Sequence, residues 1–110
     1  MVFATGIPFA GMDGLPEMLE DLAGLMPRSA GVRRFGAAAL DLAWVAAGRF
    51  DGFWERRLNA WDVAAGALLV REAGGFVQDI RDPRANPVET GSIIAGNAEG
   101  FDRFAALIRR

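Results

Sequence analysis

The chain has 110 residues, of which 52% are hydrophobic and 24% charged, and its net charge is −2 at pH 7. This length and composition predict one globular domain with a single core, and the absence of a basic block argues against a nucleic-acid partner. The chain contains neither cysteine nor histidine, so disulfides, thiolate chemistry, imidazole bases and imidazole metal ligands are excluded. Any chemistry must use carboxylates, hydroxyls, backbone groups, arginine or a bound metal.

Hydrophobic spacing predicts a domain in which strands and helices alternate. Apolar and aromatic runs bounded by glycine or proline favour strands, and apolar residues at intervals of three and four favour helices. The expected elements, in chain order, are a strand at 2–6, a turn at 10–14, a helix at 15–26, a strand at 31–35, a helix at 36–48, a strand at 50–57, a helix at 61–73, a strand at 76–80, a surface loop at 81–91, a strand at 92–96 and a helix after Asn97. This order predicts an α/β layered domain with a mixed sheet.

The ends of the chain lead to two further expectations. The first strand begins one residue after Met1, which indicates a chain that starts within a larger fold. Neither a run of about eighteen apolar residues nor a signal peptide appears, so we expect no membrane span and a cytoplasmic location.

In the first helix, the spacing places the apolar residues on one side and Glu17, Glu20 and Asp21 on the other. We therefore expect a surface helix that packs one stripe on the sheet. Asp13 is a candidate cap for its start.

The helix that begins at Trp61 is almost wholly apolar, which predicts burial on most of its circumference. Asp62 is the exception, because it places a carboxylate in the first turn. A carboxylate there can act as a helix cap or complement the macrodipole; alternatively it can bind a cation, since a buried acid needs a partner. Asn59 is a candidate cap for the same helix.

Two other segments have the chemistry of a ligand site. Gly36, Ala37 and Ala38 open a helix with small residues, so backbone N–H groups there could bind an anion, although small residues also permit close packing. Glu55 lies near the end of the strand at 50–57, on the same face as Phe53 and opposite Trp54 and Arg56. It could make a polar contact with a ligand or an ordinary pair with an arginine.

These segments resemble the inositol monophosphatase family. The resemblance rests on Trp61-Asp62-Val63-Ala64-Ala65-Gly66 with Glu72-Ala73-Gly74-Gly75, on 36–43, on Gly48-Arg49-Phe50-Asp51-Gly52 with Glu55, and on 5–9. It extends over nearly the whole chain. It implies the C-terminal portion of an α-β-α-β-α layered sugar-phosphatase fold, usually homodimeric, with a mixed sheet flanked by helices.

The resemblance also implies a function and a set of site residues. The function is Mg²⁺-dependent, lithium-sensitive hydrolysis of a phosphorylated polyol such as myo-inositol monophosphate. By position, Asp62 would bind the metal and meet the substrate, and Glu55 would bind an inositol hydroxyl. Gly36, Ala37 and Ala38 would contact the substrate through the helix start. Ala37 replaces the serine or threonine of some members, so a hydroxyl contact is lost there.

One departure from the family concerns the other metal ligands. The Gly-Glu-Glu and Asp-Pro-Ile-Asp-Gly-Thr motifs of the family's N-terminal half do not occur in this sequence. We therefore expect residues 1–110 to form the C-terminal half of such a domain and to be inactive alone. The alternatives are a non-catalytic binding or dimerisation module, and a relative that acts on histidinol phosphate, fructose 1,6-bisphosphate or 3′-phosphoadenosine nucleotides.

Overall fold

The computed structural model describes residues 1–6, 14–34, 37–56, 58 and 60–109, and describes Ala39, Ala60 and Asp62 by their backbone alone. Strands and helices alternate along the chain as the sequence predicts. The elements are β1 (Val2–Thr5), α1 (Leu15–Leu25), β2 (Gly31–Arg33), α2 (Ala38–Ala46), β3 (Gly52–Glu55), α3 (Ala60–Glu72), β4 (Phe76–Gln78), α4 (Pro87–Thr90), β5 (Ile93–Gly96) and α5 (Phe101–Arg109). The predicted caps Asp13 and Asn59 and the predicted turn's residues 10–13 lie outside the described residues.

The five strands form one mixed sheet in the order β2-β1-β3-β5-β4. Strands β2, β1 and β3 are parallel, and β5 is antiparallel to both β3 and β4. Strand β4 therefore runs in the same direction as β3, and four strands end at one edge of the sheet. The predicted α/β class with a mixed sheet is confirmed.

Two apolar clusters separate the helices into layers on opposite faces of the sheet. One cluster joins α2 and α3 to Ala4 of β1 and Phe53 of β3. The other joins α1 and α5 to Phe3 and Trp54. Because side chains alternate along a strand, Glu55 shares the face of Phe53, as the sequence predicts, and this is the face covered by α2 and α3.

Helix α3 is less buried than expected, since burial on most of its circumference was predicted. Its inner side is buried at Val63, Gly66, Ala67 and Val70, and the other apolar residues between Trp61 and Leu69 face solvent. Trp61 is 75% exposed, Leu68 58% and Leu69 49%. We call these three residues the outer α3 face. A helix that is apolar all round is normally enclosed by protein, and within the described residues α3 is covered on one side alone.

Two further expectations were wrong in part. Residues 81–91 contain the short helix α4, whose start is capped by Asn86 Oδ1 accepting from Val88 N at 3.0 Å. Asp21 was expected on the solvent side of α1 but is fully buried. Its carboxylate is bound by Trp54 of β3 and by Arg56, which directly follows β3. These two residues supply the partners that a buried charge needs.

Candidate substrate and metal site

The predicted site residues belong to elements that meet at one edge of the sheet. Helix α2 follows β2 and α3 follows β3, so both helices begin where these parallel strands end. Both also pack on the same face as Glu55. Ligands of open α/β sheets bind outside the carboxyl ends of the strands, and the described backbone brings Ala37, Ala38, Glu55 and Asp62 to that place. Gly36 lies outside the described residues.

Glu55 packs directly on the backbone at the end of β1. A Cβ atom on Gly6 would collide with Oε1 and the carboxyl carbon of Glu55, and would lie 3.0 Å from Oε2. Glycine at position 6 therefore gives this carboxylate its space. The side chain is half-buried, and it lies one residue beyond Trp54, whose carbonyl accepts a hydrogen bond from Thr5 Oγ1 at 2.7 Å.

Among the described residues, no side chain caps the N-terminus of α2. Its cap residue is Ala37, which has extended backbone angles and makes no side-chain capping bond. Ala37 is exposed and Ala38 half-buried. The first N–H groups of a helix lack partners within it and attract anions. The start of α2 can therefore bind a phosphate or a hydroxyl oxygen through its backbone.

The start of α3 is fixed by its connection to β3. Leu58 N donates to Gly91 O at 2.9 Å, and a Cβ atom on Gly91 would collide with the Leu58 carbonyl. Gly91 has φ = 73°, a left-handed conformation that favours glycine. Its close approach holds the β3–α3 connection against the loop before β5. Asp62, the third residue of α3, is thereby placed in the first turn at the same sheet edge as Glu55.

The donor chemistry of these residues fits a magnesium ion as part of a ligand set. Mg²⁺ prefers carboxylate and phosphate oxygens, and Asp62 and Glu55 are both acids. Within the described side chains, however, no three acidic residues converge on one point. Asp62 could supply one ligand of a metal site, and further carboxylates are needed to complete the coordination.

Asp41 is a buried acid and the sole charged residue of α2. It is 1% exposed, and its Oδ1 has no hydrogen-bond partner within the described residues. Burial disfavours the charged carboxylate and raises the pKa of Asp41 from 3.8 to about 6. Its position one turn from Ala37 was readable in the sequence, but the degree of burial depends on how α2 packs.

Replacing Asp41 with asparagine should remove a pH-dependent loss of stability. Because the folded pKa of about 6 exceeds the ordinary 3.8, the folded chain binds more protons between these values. Its free energy of unfolding therefore falls as pH rises from about 4 to about 6 and stays low above. The free energy of unfolding of Asp41→Asn, measured relative to that of the wild type, should increase by about 1–3 kcal/mol between pH 4 and pH 7.5. Urea unfolding of both proteins across that range measures the gain; a difference that does not vary with pH would contradict it.

Comparison with known proteins decides the family. A model of the inositol monophosphatase family matches residues 3–110. The chain belongs to the inositol monophosphatase family. This confirms the resemblance read from the residues around Asp62.

Three relatives illustrate the match. A Caulobacter vibrioides protein named inositol-1-monophosphatase is 54% identical over 98 residues, covering 89% of this chain and 38% of that protein. A Pseudomonas aeruginosa protein named Nus factor SuhB is 47% identical over 110 residues, covering 98% and 40%. The crystal structure of extragenic suppressor protein suhB from Bartonella henselae has a TM-score of 0.91 at 47% identity, covering 99% and 41%. The chain therefore spans about two fifths of the length of these relatives.

The structural match also confirms the fold class predicted from the sequence. A TM-score of 0.91 over 99% of the chain means that the five strands and their helices occupy the same places as in the suhB structure. Among the described residues, no helix has both the length and the apolar content needed to cross a membrane.

Proposed function

We propose that this chain supplies the substrate-binding segment and one metal ligand of a Mg²⁺-dependent phosphomonoesterase that hydrolyses inositol monophosphate. The observation that carries the proposal is the meeting of Glu55 and the starts of α2 and α3 at one sheet edge. Membership of the inositol monophosphatase family supports it.

Each site residue has a role that its chemistry can perform. The backbone N–H groups at Gly36, Ala37 and Ala38 bind oxygen atoms of the substrate at the start of α2. The Glu55 carboxylate accepts a hydrogen bond from a substrate hydroxyl. Asp62 holds the metal and meets the substrate. Bound Mg²⁺ would offset the negative charge of the phosphate.

The remaining ligands would come from the part of the family fold that this chain does not match. We propose that this part packs against the outer α3 face, which consists of Trp61, Leu68 and Leu69. An apolar surface of this kind marks an interaction site, and Trp61 directly precedes the proposed ligand Asp62. A unit covering this face would therefore reach the start of α3. The intact protein would act as a homodimer, as the resemblance implies.

Co-production with the unmatched portion of the Caulobacter vibrioides relative tests the proposal. The purified pair should release phosphate from inositol 1-phosphate in the presence of Mg²⁺, whereas this chain alone should release none. Histidinol phosphate, fructose 1,6-bisphosphate and 3′-phosphoadenosine nucleotides serve as comparison substrates. Turnover by the chain alone would contradict the incomplete site, and a stable pair without phosphatase activity would contradict the proposed reaction.

A non-catalytic binding role is the second candidate. It is favoured by the 47% identity to a protein named Nus factor SuhB, a name that describes a factor and no hydrolysis. The net charge of −2 favours a protein partner over direct nucleic-acid binding. A pair that forms without releasing phosphate would favour this role.

A further inference from the structure

At the end of β3, the proposed substrate-binding residue Glu55 lies on one face of the sheet, and Trp54 and Arg56 contact α1 on the other face. Glu55 faces the α2–α3 side, where its carboxylate covers Gly6. Trp54 is fully buried on the opposite side, among residues of α1 and α5. Arg56 follows, and its side chain reaches α1. The two residues that flank Glu55 are thus both directed toward α1.

One carboxylate binds both of these flanking residues. Trp54 Nε1 donates to Asp21 Oδ2 at 2.9 Å. Arg56 donates from Nε to Oδ2 at 3.1 Å and from Nη2 to Oδ1 at 2.9 Å. Two parallel bonds between guanidinium and carboxylate fix orientation as well as distance. Asp21 therefore tethers the backbone immediately before and after Glu55.

The tether is rigid because its components are shielded from water. Asp21 is fully buried, and the Arg56 side chain is 16% exposed. A buried pair of this kind adds little net stability compared with apolar packing, because desolvation offsets the attraction. It does impose a fixed geometry on the groups that it joins.

We propose that Asp21 is a positioning residue for Glu55. From its place on α1, Asp21 binds the end of β3 and thereby keeps the Glu55 carboxylate over Gly6. The Glu55 carboxylate lies so close to Gly6 that a Cβ atom there would overlap it, so a shift of β3 relative to β1 would move the carboxylate relative to Gly6. The consequence for substrate binding rests on the proposed function, in which Glu55 accepts a hydrogen bond from a substrate hydroxyl. The position of Glu55 itself does not depend on that function.

Asp21→Asn tests the positioning directly in the isotope-labelled 110-residue chain. Asparagine has the same shape but lacks the charge that binds both guanidinium nitrogens. The nuclear Overhauser contact between the Glu55 γ-protons and the Gly6 α-protons should be lost. Arg56→Lys, which keeps the charge but removes the fork, should lose the same contact and provides a second variant if Asp21→Asn does not fold. A contact retained in both folded variants overturns the proposal.

Asp51→Asn is the matched control. Asp51 lies at the other end of β3, where its Oδ2 accepts from Val2 N at 2.7 Å and its Oδ1 from Asn97 at 3.3 Å. This variant loosens the same strand at the end remote from Glu55, so the Glu55–Gly6 contact should persist. Loss of the contact in this control would make the effect a general weakening of β3, and the proposal would be wrong.

Kinetics of the complemented pair measure the functional consequence. Asp21→Asn should raise KM for inositol 1-phosphate about tenfold with kcat nearly unchanged, because a displaced Glu55 weakens substrate binding. Asp21→Asn should add nothing further in a Glu55→Gln background, since coupled residues are not additive. Additive effects overturn the proposal. If the wild-type pair is inactive, the proposed function fails, and the Glu55–Gly6 contact still decides the positioning.

Discussion

Replacing Asp62 with asparagine should reduce Mg²⁺-dependent phosphate release by the complemented pair more than about a hundredfold. Loss of a residue that only hydrogen-bonds to a metal ligand already costs about 10–100-fold, and loss of the ligand itself should cost more. The Mg²⁺ concentration needed for half-maximal activity should also rise. Folding should survive, since α3 is held through Val63, Ala67 and Val70 on its buried side. A Mg²⁺ titration of kcat, together with circular dichroism of the variant, measures both expectations.

Glu72→Gln is the control for Asp62→Asn. Glu72 is an exposed acid in the last turn of the same helix, so its replacement removes equal charge far from the proposed site. It should leave the Mg²⁺ requirement unchanged. If Asp62 were a cap alone, Asp62→Asn would lower the free energy of unfolding by at most about 0.5–2 kcal/mol with activity intact. An unchanged Mg²⁺ requirement in folded Asp62→Asn would remove the ligand assignment.

A charge on the outer α3 face should prevent this chain from binding its complementing portion. Leu68 is 58% exposed in this chain, so Leu68→Glu should fold normally. Buried at an interface, the new carboxylate would lack a partner. We expect the dissociation constant to rise at least about thirtyfold, which corresponds to about 2 kcal/mol for an interface hot spot. Calorimetric titration of the two purified parts measures it.

Leu19→Glu is the matched control for this experiment. Leu19 is 57% exposed and lies on α1, on the opposite side of the sheet. The two leucines are equally exposed, so a loss of binding confined to Leu68→Glu assigns the interface to the outer α3 face. The unpaired chain should self-associate through this face. A monodisperse monomer in analytical ultracentrifugation, or equal binding by both variants, would contradict the assignment.

The sequence predicted those features that depend on local pattern. Alternation along β3 correctly placed Phe53 and Glu55 on one face and Trp54 on the other. The helix predicted after Asn97 is present as α5, and its buried residues Phe101, Phe104, Ala105 and Ile108 follow helical spacing. These predictions succeed because the periods of strands and helices are fixed by backbone geometry.

The features that sequence reasoning missed depend on contacts between distant residues. The spacing in α1 placed Asp21 with Glu17 and Glu20, but Asp21 faces inward because Arg56 and Trp54 bind it across 35 and 33 residues of sequence. That Asp41 Oδ1 finds no hydrogen-bond partner among the described residues is likewise visible only in three dimensions. Of the site residues, Glu55 is described fully, whereas the placement of the Asp62 side chain stays a prediction.

Gly66 has a consequence for the width of the proposed site. A Cβ atom on Gly66 would lie 2.6 Å from Leu42 Cβ, so the missing side chain lets α2 and α3 approach closely. Both helices begin at the sheet edge where the substrate would bind, so their separation sets the distance between the backbone N–H groups near Ala37 and the first turn that holds Asp62. If the proposed function is right, this one glycine, a turn away from Asp62, would limit the size of phosphate ester that can bridge the two helix starts.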